Sequence, residues 1–229
     1  MNANIFEKAN QIIRACDAAY LGVIDEDGFP SVLTVSIVKS ENIREIYFTT
    51  NIGSNKEKRL RMNNSASICF RSENNNITLV GTAEILTDQK TKSACWQDWF
   101  INHYSGGETD PAYCVIKLTT KRASLWIDFE SAEFRMEELM KVQSRCGLLC
   151  SWCTYKESDG CGGCIETNGH PFHGECHIAV CCQNKGFSHC GECPDIPCEL
   201  LKEYSYGDSE HCDNPKCARI EICKCWKNS

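Results

Sequence analysis

The 19 cysteines of this 229-residue chain are spread so unevenly that they divide it before any other feature is considered. Residues 1–145 hold Cys16, Cys69, Cys95 and Cys114, and the other 15 fall between 146 and 229. Over residues 141–229 only 18 of 89 side chains are large and apolar. That is too few for burial alone to hold a fold, so this half needs disulfides or metal as staples. The first half has ordinary apolar content and needs none. The expected organisation is one domain over 1–130, a linker helix over 131–145 and a cysteine-rich domain over 146–229.

Whether the staple is a disulfide or a metal depends on the compartment. The chain opens Met1-Asn2-Ala3-Asn4-Ile5-Phe6-Glu7-Lys8, without the basic-then-apolar order of an export signal. No stretch approaches the ~20 apolar residues of a membrane helix. A cytoplasmic location without a membrane partner is expected, where thiols are reduced or metal-bound rather than paired. Net charge is −7, with 15 basic against 19 acidic residues before position 141 and 9 against 12 after it. Neither half has the basic footprint that nucleic acid requires, which excludes that partner class.

The first half reads as mainly β. An amphipathic helix over 4–16 (Ile5, Ala9, Ile12, Ile13 and Cys16 on one face) precedes short β-branched and aromatic runs broken by turns. Strands are expected over 19–24, 32–39, 45–50, 66–71, 77–86, 113–119 and 123–127. Helices are expected over 55–62, after Ser54 as N-cap, and from Asp88 to about His103. Such a set, with helices at the margins, suggests a small antiparallel barrel.

The most informative short stretch is Tyr47-Phe48-Thr49-Thr50-Asn51-Ile52-Gly53-Ser54-Asn55-Lys56. A strand ends in two threonines, a glycine permits a tight turn, and a helix begins with a lysine in its first turn. Free amides and the positive end of the helix dipole make an anion site. Hydroxyls of Thr49, Thr50 and Ser54 with the Lys56 ammonium would complete a phosphate cradle. A plain cap beside an exposed lysine is the competing reading.

With Asp27-Gly28-Phe29-Pro30 before it, Leu79-Val80-Gly81-Thr82-Ala83-Glu84 after it and a late Ser124-Leu125-Trp126, the stretch resembles the pyridoxamine 5′-phosphate oxidase-like family. The similarity is to its general-stress-protein and nitroimidazole-reductase-like branches and covers roughly residues 5–130. The resemblance implies an FMN-binding split β-barrel of six strands, a homodimer with FMN at the subunit interface. Thr49, Thr50, Ser54 and Lys56 then match positions around the FMN phosphate, Lys39 a lysine near the flavin, Asn76 an amide that contacts it, and Trp126 the tryptophan ending the last strand. Trp126 also has a plainer reading as a core residue. The oxidase proper carries arginines where this chain has Thr34 and Asn55, and Trp and Arg positions at its end where this chain has the cysteine module. Those departures set the chain apart from a true pyridoxamine 5′-phosphate oxidase. No general base is evident, so any redox chemistry would be the flavin's.

The second half carries Cys146, Cys150, Cys153, Cys161, Cys164, Cys176, Cys181, Cys182, Cys190, Cys193, Cys198, Cys212, Cys217, Cys223 and Cys225. Three CxxC elements (150/153, 161/164, 190/193) each aim two thiolates at one ion, and glycines within or beside them free amides for the sulfurs. The segment from Cys146 to about Glu203 resembles an uncharacterised cysteine-rich family with a CGxxCxxC opening and a later CxxCxxxPC element, which implies metal binding. Zinc suits the Cys/His mixture offered by His170, His173, His177, His189 and His211. The cysteine surplus favours an iron–sulfur cluster (4Fe–4S) over zinc, since two zinc sites take at most eight thiolates. A helix is expected over 216–223.

Three functions compete. One is an FMN-dependent oxidoreductase or electron-transfer flavoprotein whose clusters relay electrons to a redox partner protein. Another is an FMN-binding protein whose tail is a structural zinc module for protein–protein interaction. The third, by family analogy alone, is a reductase of small nitro compounds.

Overall fold

The computed structural model describes residues 4–208, 212–213 and 216–227. The chain divides into two compact units, Ala9–Met136 and a second built from Glu137–Ser229 with Met1–Lys8.

The first unit is an antiparallel barrel. Its strands are β1 (Ala18–Ile24), β2 (Pro30–Asn42), β3 (Glu45–Asn51), β4 (Ser65–Ser72), β5 (Asn75–Leu86), β6 (Tyr113–Ile127) and β7 (Glu130–Arg135). They run in the order β3-β2-β1-β4-β5-β6-β7, and β3 also pairs with β6. Six strands therefore close on themselves, and β7 adds a flap to β6. Period-2 alternation sends Leu21, Val35, Phe48, Ile68, Phe70, Ile77, Leu79, Ile116 and Leu118 inward, all buried. Each such side chain contributes roughly 1.5–3 kcal/mol of burial.

The β3–β6 pairing closes the barrel, and the long β5–β6 pair carries a bulge. The β5–β6 register shifts between Val80 and Gly81, so Val80 faces Arg122 and Gly81 faces Thr120. A Cβ on Gly81 would stand 2.0 Å from the Thr119 carbonyl oxygen, so only glycine lets the two backbones approach this closely. The bulge bends β6, whose first half pairs with β3 and whose second half pairs with β7.

Helix α1 (Asn4–Ala15) places Ala9 and Ile13 in the buried set, and its Asn10 Oδ1 accepts the Ile43 amide at 2.9 Å. Helix α2 (Asn55–Met62) has the expected bounds. Helix α3 (Gln89–Cys95) is capped by Asp88, which accepts the Thr91 amide at 2.9 Å. It stops short of His103 because Trp96 turns extended, and a 3₁₀ turn, Asp98–Asn102, follows. Phe100 of this turn packs with Trp96 and Tyr104 over Tyr113 and Val115.

Two expectations are corrected. The strands expected over 113–119 and 123–127 are one strand, because the exposed pair Lys121-Arg122 is the bulge rather than a turn. The linker helix expected over 131–145 is instead β7, with Ala132 and Phe134 buried by alternation, followed by the single turn α4 (Met136–Leu139).

The second unit has no sheet among the described residues. Short helices α5 (Tyr155–Ser158), α6 (Gly163–Glu166), α7 (His177–Asn184), α8 (Glu199–Tyr206) and α9 (Ala218–Lys227) surround a small core containing Ile178, Leu201 and Ile220 with Cys146. The helix expected over 216–223 is α9. Trp226 donates its Nε1 hydrogen to the Leu139 carbonyl at 2.7 Å, and Arg219 pairs with buried Asp213 at 2.9 Å. Gly147, at φ +91°, approaches the Arg219 carbonyl so closely that a Cβ would stand 2.1 Å from it, which seats the Cys146 turn on α9. Among the described residues no helix is long and apolar enough to cross a membrane.

Candidate functional site

The turn between β3 and α2 forms as its sequence demands. Gly53 takes φ +79°, and Ser54 caps α2 by accepting the Glu57 amide at 3.3 Å. Thr50 turns inward at the end of β3, and its Oγ1 lies 3.0 Å from Ser54 Oγ. Lys56 is half-buried and makes no ion pair or side-chain hydrogen bond among the described residues. Burial pulls its pKa below the usual lysine value, opposed by the nearby Cys114 thiol. Thr50, Ser54 and Lys56 thus gather at one end of the barrel with an uncompensated ammonium, a donor set that fits a phosphate.

Thr49 and Lys39 are placed elsewhere. Alternation along β3 turns Thr49 to the opposite face from Thr50. Lys39 pairs in register with Tyr47 and sits 5.9 Å from its ring centroid, on the barrel exterior. Asn76 and Trp126 face each other across β5 and β6. Asn76 donates to Cys69 Sγ at 3.5 Å, and Trp126 is 45% exposed rather than core. Thr49 pairs with Val115, which pairs with Leu86, so the phosphate turn and Asn76 lie at opposite ends of β5. Ten residues of strand, roughly 33 Å of contour at about 3.3 Å per residue, separate them. One protomer does not bring the two groups together.

Sequence reading missed Glu57, although Ser54-Asn55-Lys56-Glu57 is a capping-box signature. Its buried carboxylate accepts the Gly53 amide at 3.1 Å and pairs with Arg61. It therefore uses one of the amides that an anion at this helix start would seek.

In the second unit no disulfide joins the cysteines. They fall into groups. Cys146, Cys153, Cys161 and Cys164 neighbour Cys150, and burial with these thiols pushes Cys150 up to about 12; Cys146 also neighbours Cys190. Backbone amides point at their sulfurs, Arg145 N–H to Cys164 Sγ at 3.3 Å and Gly163 N–H to Cys161 Sγ at 3.4 Å. Such N–H···S bonds are the usual support of a metal-bound thiolate. Cys181, Cys182, Cys190, Cys193 and Cys198 line one cavity with Lys185, Phe187, Ile196 and Leu201. Cys176 caps α7, and Cys223 and Cys225 are buried in α9. Cys217 accepts the Tyr206 hydroxyl at 3.3 Å, while Cys212 donates to the Glu203 carbonyl. The donor set suits a soft metal, yet among the described residues no three Cys, His, Asp or Glu side chains converge as ligands. Among the described residues no histidine joins the sulfurs in a ligand set. His189 is buried against Trp226, with its Nδ1 accepting the Gly191 amide, and His170 and His173 are exposed. His177 is exposed at the start of α7, and His211 lies outside the described residues.

Residues 4–144 match the family described as pyridoxamine 5′-phosphate oxidase like. The chain belongs to that family. Residues 142–203 match a second family, described only as a protein of unknown function (DUF3795). Among solved structures, the chain is similar to a protein from Clostridium acetobutylicum related to general stress protein 26 of Bacillus subtilis, of the pyridoxinephosphate oxidase family. Identity is 24%, the TM-score 0.55, and 60% of this chain and 99% of that one are covered. It is also similar to general stress protein 26 from Bacillus anthracis, at 20% identity and TM-score 0.51, over 58% of this chain and 98% of that one. These likenesses establish the split-barrel fold. No curated protein matches the chain.

Proposed function

We propose that the protein is an FMN-dependent oxidoreductase working as a homodimer. The observation that carries this reading is the half-buried, unpaired Lys56 beside Thr50 and Ser54 at the start of α2. An ammonium held there without a counter-charge is costly, and a phosphate monoester would supply the charge. Thr50 and Ser54 would hold the phosphate oxygens through their hydroxyls, and the amides at the start of α2 would donate to them. The remote pair Asn76 and Trp126, with exposed Tyr20 and Val32 on the same barrel wall, supports a dimer. A second copy would bring its Asn76 and Trp126 to the end of the ligand that this protomer's turn does not reach. Flavin mononucleotide bound there would supply hydride or electron exchange with a small substrate. Titrating the purified protein with FMN, while following flavin fluorescence and oligomeric state together, tests the reading.

The cysteine unit is proposed to bind metal. Cysteine count alone favours an iron–sulfur relay, but the cavity among Cys181, Cys182, Cys190, Cys193 and Cys198 measures about 20 Å³. That is room for about one water-sized occupant. The second reading is a structural metal module. The exposed stack of Tyr155 on Phe172, 4.9 Å apart at 25°, offers a partner protein an aromatic surface. Iron and acid-labile sulfide analysis of anaerobically purified protein separates the two roles.

A further inference from the structure

The cavity in the second unit has a feature that cysteine spacing does not reveal: Lys185 lines it, and a second cation, Arg145, lies beside its Cys182. Lys185 Nζ lies 3.6 Å from Cys193 Sγ and 2.9 Å from Asp195. The Arg145 guanidinium lies beside the Cys182 thiol. Its Nη1 donates to the carbonyls of Phe187 at 2.9 Å and Ser188 at 3.2 Å, while its Nε is buried without a partner. The Cys182 thiol donates to the Phe187 carbonyl at 3.3 Å, and Cys190 lines the cavity beside it. Phe187, Ile196 and Leu201 complete the lining with apolar surface. Lys185 is already paired with Asp195, so the buried Arg145 guanidinium is the cation that thiolates here would satisfy.

We propose that Cys182, Cys190, Cys193 and Cys198 bind one thiophilic divalent ion of the zinc class, with Arg145 beside Cys182 and Lys185 beside Cys193. Four thiolates around a divalent ion carry two negative charges in excess, of which Arg145 offsets one, while Lys185 is shared with Asp195. Binding releases the thiol protons to solvent, and the sulfurs close inward on the ion. Cys181 also lines the cavity and is assigned no ligand role. Cys150, Cys153, Cys161 and Cys164 belong to a separate centre, and Cys146 neighbours both sets. Arg145 stands between the two sets: its amide donates to Cys164 Sγ and its carbonyl accepts the Cys190 amide at 2.8 Å. This assignment rests on the reading that the unit holds metal.

Metal content of the full chain, purified without oxygen, tests it. Cys193→Ser, Cys198→Ser and their double variant should each lose the same single equivalent. Cys181→Ser should lose none, and Cys150→Ser should lose a different equivalent, additive with the first. Should the Cys193 and Cys198 variants fail to fold, the wild-type chain and Lys185→Met remain informative. Cobalt(II) substituted into the wild type should show a tetrahedral all-thiolate spectrum, and Lys185→Met should release that ion to a chelator about tenfold faster. A full metal complement in the Cys193 and Cys198 variants overturns the ligand assignment, as does loss of metal in Cys181→Ser. Acid-labile sulfide that disappears in Cys193→Ser overturns the single-ion centre. Absence of metal from every form, even after incubation with zinc, overturns the metal reading itself.

Discussion

Glu57 Oε2 accepts the Gly53 amide at 3.1 Å, so the first turn of α2 carries its own carboxylate beside the place proposed for a phosphate. The two anions share one helix start. Arg61 pairs with Glu57 and offsets part of the repulsion. Glu57→Gln keeps the shape and removes the charge. It should bind FMN several-fold more tightly, while the free protein keeps the cap and loses only the Arg61 ion pair, about 0.5 kcal/mol. Flavin titration and thermal unfolding of the same variant check both.

Lys56→Glu should weaken FMN binding on the order of tenfold to a hundredfold, the equivalent of roughly 1.5–3 kcal/mol for a hydrogen bond to a charged group. Unchanged affinity in a fluorescence titration would place the phosphate elsewhere.

Lys56 also sets a pH dependence. Its pKa lies below the ordinary value of 10.5 because burial disfavours the charged form. FMN affinity should be level below that depressed pKa and fall as pH rises through it. For the free protein the sign reverses. Between the folded pKa and about 10.5 the unfolded chain binds more protons, so stability attributable to Lys56 rises with pH. The difference between wild type and Lys56→Met, measured by denaturant unfolding across that window, isolates the effect.

Much of this end of the barrel was legible in the sequence. The bounds of α2, the Ser54 cap and the alternation of β1, β3, β4 and β5 follow from local pattern, because each is decided by neighbours in the chain. Two places were not legible. Lys121-Arg122 looks like a turn because two exposed residues in succession break the alternation, and only the approach to Gly81 reveals a bulge. Residues 131–145 look helical because Glu133, Glu137, Glu138 and Leu139 are good helix formers, but pairing with β6 overrides that preference over Glu130–Arg135. Thr49 and Thr50 are adjacent in sequence and on opposite faces in space. The separation of Asn76 from the phosphate turn is a property of register, which composition does not carry.

Trp126 is half-exposed, so Trp126→Ala should leave the stability of the unliganded chain within about 0.5 kcal/mol. If the side chain flanks the ligand, FMN affinity should fall by roughly 0.5–1.5 kcal/mol. A large loss of stability without FMN would return Trp126 to a structural role. Gly81→Ala should behave oppositely. Its Cβ would meet the Thr119 carbonyl, so the variant should lose several kcal/mol in thermal unfolding whether or not flavin is present.

A strong chelator should unfold the cysteine unit and spare the barrel. A structural zinc site supplies on the order of 10 kcal/mol to folding, and the small core around Ile178, Leu201 and Ile220 does not replace it. Calorimetry before and after chelation should show one transition lost and one retained.

The most direct measurement is a single titration of the metal-replete full chain with FMN, read by flavin fluorescence and sedimentation together. One FMN per protomer bound to a dimer, with affinity lowered in Lys56→Glu, is the expected result. A well-ordered chain that takes up no FMN even in large excess would contradict the account.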